Sequence, residues 1–266
     1  MTTSQSHPPN PAPSHAARAR SFNAAAAQYA ANRPSYPSAL LDAVEEEAGR
    51  PLAGARVVDV GAGTGIATAL LHARGADVVA VEPGEGMAAQ FHATLPDVPV
   101  VRGNGNALPL ADGTADFITY AQAWHWTDTA HSVPEALRVL RPGGALALWW
   151  NTSALDVEWI ADASARISRF FGIDDVATEQ SKGTDRTDLA DPSGRLRFSR
   201  REVRWSRRVP LDTHLANISS HSAFLVTPED RRTAFLAEER GHLLKVFPDG
   251  VVEETYDVLL LVALNS

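Results

Sequence analysis

The 266-residue chain contains no cysteine, which excludes disulfides, thiolate metal sites and a cysteine nucleophile. No metal is expected. Basic charge is also short: 24 Lys and Arg stand against 32 Asp and Glu, a formal net charge of −8. A chain built to hold phosphates wants a basic face, so nucleic acid is not the expected partner. No stretch reaches the roughly 18 consecutive apolar residues of a membrane span, and no membrane partner is expected. The nearest run, Val258 to Leu264, is short, follows Glu253, Glu254 and Asp257, and reads as a final buried strand. The N-terminus offers no apolar core of a secretory signal. Met1 to Ala19 is rich in Ser, Pro, His and Ala, so residues 1–20 read as a disordered tail. The default expectation is cytoplasmic, a monomer or homodimer.

What the chain does have is apolar material, 44% of its residues, enough for a sizeable core. From Arg56 onward that material is regularly spaced. Short valine-rich runs at Arg56–Val60, Asp77–Val81, Val98–Val101, Asp116–Ala121 and Ala145–Trp150 alternate with segments of helical period. Such alternation predicts an α/β fold, a doubly wound, Rossmann-like and mostly parallel sheet. Ser132 and Glu135, with Pro134, predict a capping box for the helix before the fifth strand. Arg141-Pro142-Gly143-Gly144 reads as a sharp turn into that strand.

After Asn151 the regularity fails. A helix is expected over Leu155 to Phe171, then a polar stretch, Gly172 to Gly194. Leu196 to Val209 reads as a half-exposed antiparallel strand, and Leu211 to Lys245 as two helices, the second opened by Thr227-Pro228. The expected organisation is a core over 21–151 with N-terminal covering helices. An inserted, mainly helical substrate cover with a sheet-edge strand fills 152–247. The final strand, 248–266, completes the core sheet.

The most informative stretch is Arg56 to Gly65, RVVDVGAGTG. A buried strand runs into Gly61, Gly63 and Gly65, which let the backbone turn sharply and approach a ligand closely. A helix then carries Ile66, Ala69, Leu70 and Ala73. Strand, glycine turn and helix make a nucleotide-type site at the carboxyl end of a parallel strand. The dinucleotide fingerprint G-x-G-x-x-G is not met, because Ile66 stands where its third glycine belongs. Glu82, ending the second strand, can accept hydrogen bonds from ribose hydroxyls. Asn104, after the third, can offer an amide to a purine edge. Asp59, alone among valines, needs partners if buried and is counted with the cofactor residues, accepting backbone N–H bonds from the glycine turn or binding the ligand's amino group.

The ordered segments DVGAGTG, AVEPGEGM, GNGNALPL, DFITYAQAWHW and LRPGG resemble the motifs of the class I S-adenosylmethionine-dependent methyltransferases. The resemblance covers Phe22 to Asn151. The pattern Phe22, Tyr29, Arg33, Pro34, Tyr36, Pro37 and the AQAWHW segment resemble a small-molecule branch that includes trans-aconitate-type enzymes. It implies S-adenosylmethionine as the cofactor and S-adenosylhomocysteine as its product. Gly61, Ala62 and Gly63 would lie against the methionyl part, with Glu82 on the ribose and Met87 beside the adenine or ribose. Asn104 and Gly105 would meet the adenine edge, and Ala121 and Gln122 the sulfonium. Tyr29 and Arg33 would close over the site, Arg33 toward the methionine carboxylate. Asn104 departs from the family, which often has Asp there.

S-adenosylmethionine carries its own leaving group, so a general base is needed only by an acceptor that starts protonated. His125 is the candidate base or acceptor anchor. Trp124, Trp126, Trp150 and Phe224 are candidates to line the acceptor pocket; His131, His214 and His221 are weaker. The expected activity is transfer of a methyl group to a small organic acceptor, a natural-product intermediate or organic acid of secondary metabolism. A nicotinamide-dependent oxidoreductase and a non-catalytic cofactor-binding protein are the alternatives. The first lacks the third glycine and a Tyr-x-x-x-Lys dyad. An N/D-P-P-Y motif, expected of a nucleic-acid methyltransferase, is absent as well.

Overall fold

The computed structural model describes residues 26–172 and 190–265. The expected tail over 1–20, Phe22, and most of the polar stretch after Gly172 lie outside the described residues. Two helices, α1 (Ala26–Asn32) and α2 (Ser38–Ala48), precede the glycine strand β1 (Arg56–Val60). The alternating part follows as α3 (Ile66–Ala73), β2 (Asp77–Glu82), α4 (Glu85–Thr94), β3 (Val100–Arg102), β4 (Ala115–Ala121), α5 (Thr129–Val139) and β5 (Leu140–Ser153). The rest comprises α6 (Glu158–Phe171), β6 (Phe198–Pro210), α7 (Leu211–Ser219), α8 (Ser222–Leu225), α9 (Glu229–Val246) and β7 (Val251–Leu264).

Among the described residues, seven strands form one sheet in the order β3-β2-β1-β4-β5-β7-β6. The pairings β1–β2, β1–β4, β2–β3 and β4–β5 are parallel, whereas β5–β7 and β6–β7 are antiparallel. Parallel strands are covered on both faces, which is why their valine runs barely alternate. Successive residues nonetheless feed different layers. Val57, Phe117, Ala147 and Trp149 pack with α2 and α3 residues such as Leu40, Val44 and Leu71. Val58, Ile118, Leu148 and Trp150 pack with Val133, Ala136 and Val139 of α5. A third cluster, with Leu215, Ile218, Phe224, Phe235 and Leu243 at its centre, joins α7, α8 and α9 to Val209 and Val252.

Three local expectations are corrected. The helix before β5 starts one turn early: Asp128 is its N-cap, accepting from Ala130 N at 3.0 Å. Ser132 sits inside the helix and meets Thr127 Oγ1 at 2.9 Å, while Glu135 accepts from Leu108 N rather than capping. Arg141 to Gly144 is a bulge within a longer strand. Ala115 faces Leu140 and Phe117 faces Ala145, so β5 accommodates extra residues between two pairs. Gly143, at φ 70°, tucks into this bulge and donates to Asn265 O at 2.6 Å. The segment expected as two helices is three, with Ser220 and His221 separating α7 from α8.

β6 is an edge strand, and its outward arginines lie on its solvated side. Arg200, Arg201 and Arg204 meet Glu202, Glu46, Glu47, Asp156 and Asp257 in exposed ion pairs. Such pairs keep an edge soluble more than they stabilise it. Arg207 differs: its Nε lies 2.6 Å from the buried Glu254, and its Nη atoms donate to the carbonyls of Asn32 and Arg33. That guanidinium ties the end of α1 to the sheet.

Candidate functional site

At the carboxyl ends of β1, β2 and β4 the chain encloses a cavity of about 460 Å³. Its floor is the glycine turn. Gly61, Gly63 and Gly65 have φ of 67°, 60° and 90°, a region that L side chains rarely adopt. Their surroundings differ. A Cβ on Gly61 would come within 2.5 Å of Ala123 Cβ, and one on Gly65 within 2.9 Å of both Leu95 and Phe91. On Gly63 it would meet only Met87 Cε at 3.8 Å, because this glycine faces the open cavity.

Glu82 stands across the turn at the end of β2. Its Oε2 accepts from Gly63 N at 2.8 Å and its Oε1 from Gly84 N at 2.7 Å. Burial pushes its pKa up, partly offset by these two N–H groups and by Arg102. A fixed acceptor pair thus borders the cavity, suited to hydroxyl donors. Asn104 Oδ1 accepts from Asn106 N at 2.9 Å, an Asx turn that shapes the far wall. Gly105 is required there, since a Cβ would approach Tyr120 Oη within 2.8 Å. Gln122 holds the left-handed φ of 56° and donates from its backbone N to Trp149 O and from Nε2 to Asn151 O. Among the described residues it is the one non-glycine with positive φ, a strained corner at the end of β4.

Of the expected cofactor residues, Tyr29, Arg33, Gly61, Gly63, Glu82, Met87, Asn104, Gly105, Ala121 and Gln122 line this cavity. Asp59 does not. It is fully buried beneath the turn, accepting from Thr68 Oγ1 at 2.6 Å and Thr119 Oγ1 at 2.8 Å. Burial raises its pKa to about 6, against the pull of those hydroxyls. Asp59 therefore supports the turn from below instead of reaching a ligand amino group. Ala62 donates its N–H to Val81 O at 3.2 Å and is likewise not part of the lining.

The aromatic expectations divide. His125 and Trp126 line the cavity. Trp124 is buried against Tyr120, its indole donating to Ala190 O at 3.0 Å. Trp150 is buried on the α5 side of the sheet and donates to His125 Nδ1 at 3.3 Å. Phe224 is 2% exposed in a ring cluster with Phe170, Phe171 and Phe235. These three rings pack the fold and leave the cavity wall to others.

That wall holds residues which motif reading did not single out. Asn217, Ser222 and Tyr256 line it beside His221, and Asn217 Nδ2 donates to Tyr256 Oη at 3.3 Å. Arg33 lies over the Tyr29 ring at 4.8 Å, donating to Ser220 O at 3.2 Å and toward His221 Nε2 at 3.3 Å. His221 opens onto the cavity, where the enclosing protein, the Arg33 guanidinium and His214 push its pKa well below the ordinary value. Only Arg33 has a local signal, the RPSYP segment. The others arrive through the outer helices and β7. Among the described residues, no cluster of three or more His, Asp or Glu could hold a metal ion, and no helix is long and apolar enough to cross a membrane.

The comparisons with known proteins converge on the same part of the chain. A family model described as "Methyltransferase domain" matches residues 58–148, from the glycine strand to β5. A methyltransferase of Mycobacterium tuberculosis, itself uncharacterized, is 36% identical over 228 residues, 86% of this chain and 87% of the relative. A solved structure from Anaeromyxobacter dehalogenans, described as a type II methyltransferase, is 25% identical, with a TM-score of 0.63 over 88% of this chain and 98% of that one. A structure from Anabaena variabilis shares the fold at 19% identity, with a TM-score of 0.56 over 86% of this chain and 98% of that one. With the strand order, the glycine turn and Glu82 across it, this likeness over nearly the whole chain shows that the protein belongs to the class I S-adenosylmethionine-dependent methyltransferases.

Proposed function

We propose that the cavity holds S-adenosylmethionine along the β1–β4 ends and a small organic acceptor between His125, Trp126 and the α7–β7 wall. The observation that carries this reading is Gly63: its missing Cβ leaves space open above the turn, with Glu82 fixed alongside. Gly61 and Gly63 would lie against the methionyl part and Glu82 would take the ribose hydroxyls. Met87 would pack on the nucleoside, Asn104 and Gly105 would border the adenine, and Ala121 and Gln122 the sulfonium. Tyr29 and Arg33, on the strap that Arg207 anchors, would close the methionine end, Arg33 facing its carboxylate. When bound, the cofactor supplies an activated methyl group and its own leaving group.

The chain's own residues then have three tasks: to exclude water, to aim the acceptor and to hold both partners in line. The helical layer formed by α6 to α9 would serve the first two, as the acceptor cover. Calorimetry with S-adenosylhomocysteine tests the reading. Wild type should bind tightly, and Gly63→Val, which points an isopropyl group into the cavity, should not. A wild-type protein that fails to bind, or a variant that binds equally well, overturns it.

A further inference from the structure

The inward face of the edge strand β6 reaches the cofactor end of the cavity through two side chains. Residues on a strand alternate, so Trp205 and Arg207 point to the same side, whereas their neighbours Arg204, Ser206 and Arg208 are exposed. Arg207 donates to the carbonyls of Asn32 and Arg33. Trp205 Nε1 donates to Asn151 Oδ1 at 3.0 Å, and Asn151 passes the hold on, its Nδ2 donating to Ser35 O at 3.1 Å. Three carbonyls of the segment 32–35 are thereby held by donors from the sheet. Pro34 and Pro37 explain why those carbonyls need them. Each proline lacks an N–H and turns the residue before it away from the helical region, so α1 cannot continue.

The Asn151 amide has its orientation dictated from both sides. An indole nitrogen only donates and a carbonyl oxygen only accepts, so Oδ1 must face Trp205 and Nδ2 must face Ser35. Trp205 in turn is fixed by its ring, stacked on Tyr256 of β7 at 5.4 Å between centroids, its partner in the β6–β7 register. The backbone of Asn151 serves a second purpose. Its carbonyl accepts from Gln122 Nε2 at 3.2 Å, while Trp149 O accepts from Gln122 N at 2.9 Å. The left-handed corner at Gln122 and the strap that carries Tyr29 and Arg33 are thus both tied to one residue of β5, and Asn151 itself lines the cavity between them.

We infer that Asn151 and Trp205 are positioning residues for the cofactor: Trp205 fixes the Asn151 amide, and Asn151 sets the strap bearing Arg33 at a fixed spacing from the corner bearing Gln122. The inference rests on the methyltransferase reading above, which turns Arg33 toward the methionine carboxylate and puts Gln122 beside the sulfonium. Those two groups stand at opposite ends of the methionyl chain. A drift in the spacing of their holders moves the methyl group off its line with the acceptor, and in-line transfer tolerates little error. Asn151 acts on the methyl group through these holders.

Two measurements on the full chain separate this role from simple packing. In the ligand-free protein, hydrogen–deuterium exchange over residues 29–37 should speed up in Asn151→Ala and in Trp205→Phe, whose phenyl ring keeps the stacking but lacks the N–H. Asn151→Asp keeps the volume and the acceptor for Trp205 but sets a carboxylate against Ser35 O, so it should loosen the strap as much as Asn151→Ala. Wild-type exchange in Asn151→Asp, or unchanged protection in the other two variants, overturns the proposal whether or not a ligand binds. In S-adenosylhomocysteine calorimetry, Asn151→Ala should weaken binding roughly threefold to tenfold, the weight of one hydrogen bond, and Trp205→Phe by less. Arg33→Ala supplies the deciding background. Added to it, Asn151→Ala should cause little further loss, because both act through the same strap. Losses that multiply, or an Asn151→Ala protein of wild-type affinity, overturn the proposal. Should Asn151→Ala not fold, Asn151→Asp and Trp205→Phe carry both readouts. A wild-type protein that fails to bind S-adenosylhomocysteine counts against the methyltransferase reading, and the exchange of the ligand-free strap then decides the role of Asn151 by itself.

Discussion

Asp59, under the glycine turn, and Glu254, at the root of the α7–β7 wall, are both almost wholly buried carboxylates. Their surroundings treat them in opposite ways. Asp59 is held by two threonine hydroxyls and no cation, and burial lifts its pKa to about 6. Glu254 also suffers burial, but His214 Nδ1 at 2.6 Å and Arg207 Nε at 2.6 Å overcome it and leave the pKa lowered. The glycine turn is thus built from backbone geometry and from carboxylates that accept hydrogen bonds from neutral donors. The outer wall is built from buried charge pairs, Arg207–Glu254 and Arg166–Glu239, whose members come from distant segments. One region depends on shape, the other on charge.

The first way to break that contrast is to damage shape. Gly61→Val adds a side chain that would meet Ala123 within 2.5 Å at a φ of 67°. Strain and overpacking together should remove roughly 4 kcal/mol of stability, read as a large fall in denaturant midpoint. Gly63→Val, whose extra atoms enter the cavity, should cost clearly less stability and yet abolish cofactor binding. Equal midpoints for the two variants would show that the turn does not divide into a structural and a ligand-facing glycine.

The second way removes charge from the wall. Glu254→Gln leaves the guanidinium of Arg207 and His214 without their common partner, a change expected to cost on the order of 3 kcal/mol. Because the folded pKa of Glu254 is depressed, its contribution is present above the unfolded value near 4.5 and is lost as pH falls through the lower folded one. Wild type and variant should therefore converge on acidification below about pH 4 in urea titrations. Arg207 also holds the carbonyls of Asn32 and Arg33, so the variant should weaken S-adenosylhomocysteine binding in parallel. A constant stability gap across pH would rule out the ion pair as its cause.

These two regions also differ in how far the linear sequence reveals them. Gly61, Gly63, Glu82 and Gly105 are set by strand ends, each read from a few neighbours, and all line the cavity. Asn217, His221, Ser222 and Tyr256 have no such local mark. They reach the site because β7 pairs antiparallel with β5 and β6, and α7 leads back over α1. Trp124, Trp150 and Phe224 are the instructive cases on the other side. They belong to segments near the ligand end, but strand alternation turns Trp150 toward α5, and Phe224 is claimed by other phenylalanines. A ring near a motif can equally serve packing, and only the layer it faces decides. The misplaced cap at Ser132 has a similar origin, since the short turn Trp124–Trp126 feeds the helix one turn early, at Asp128.

The third prediction tests the other carboxylate. The folded pKa of Asp59 lies near 6, above its usual 3.8, so its favourable contribution is present in full below 3.8 and lost as pH rises through 6. About two units at 1.36 kcal/mol each make the ionised form cost about 3 kcal/mol at neutral pH. Asp59→Asn, which keeps the shape, should gain stability over wild type between about pH 4 and 6 and hold that gain to pH 8. This is the opposite slope to Glu254→Gln. Binding of S-adenosylhomocysteine should persist, because Asp59 does not line the cavity. An Asn variant that folds normally but loses the ligand would restore Asp59 to the binding set.

The smallest expected effect comes from Phe224, which pairs the outer cluster with the wall without touching the ligand space. Its ring stacks on Phe170 at 5.6 Å between centroids and is crossed by Phe171 at 4.9 Å and Phe235 at 5.4 Å. Phe224→Leu keeps most of the buried volume and should cost about 1 kcal/mol, the usual range for a near-conservative core swap. Since Ser222, two residues earlier, does line the cavity, a shift of α8 would be felt there. A lowered melting temperature with unchanged KM for both substrates would confirm that this ring stabilises the layer only. A change in the acceptor's KM alone, with stability intact, would place Phe224 in the acceptor pocket and make the outer wall a matter of shape after all.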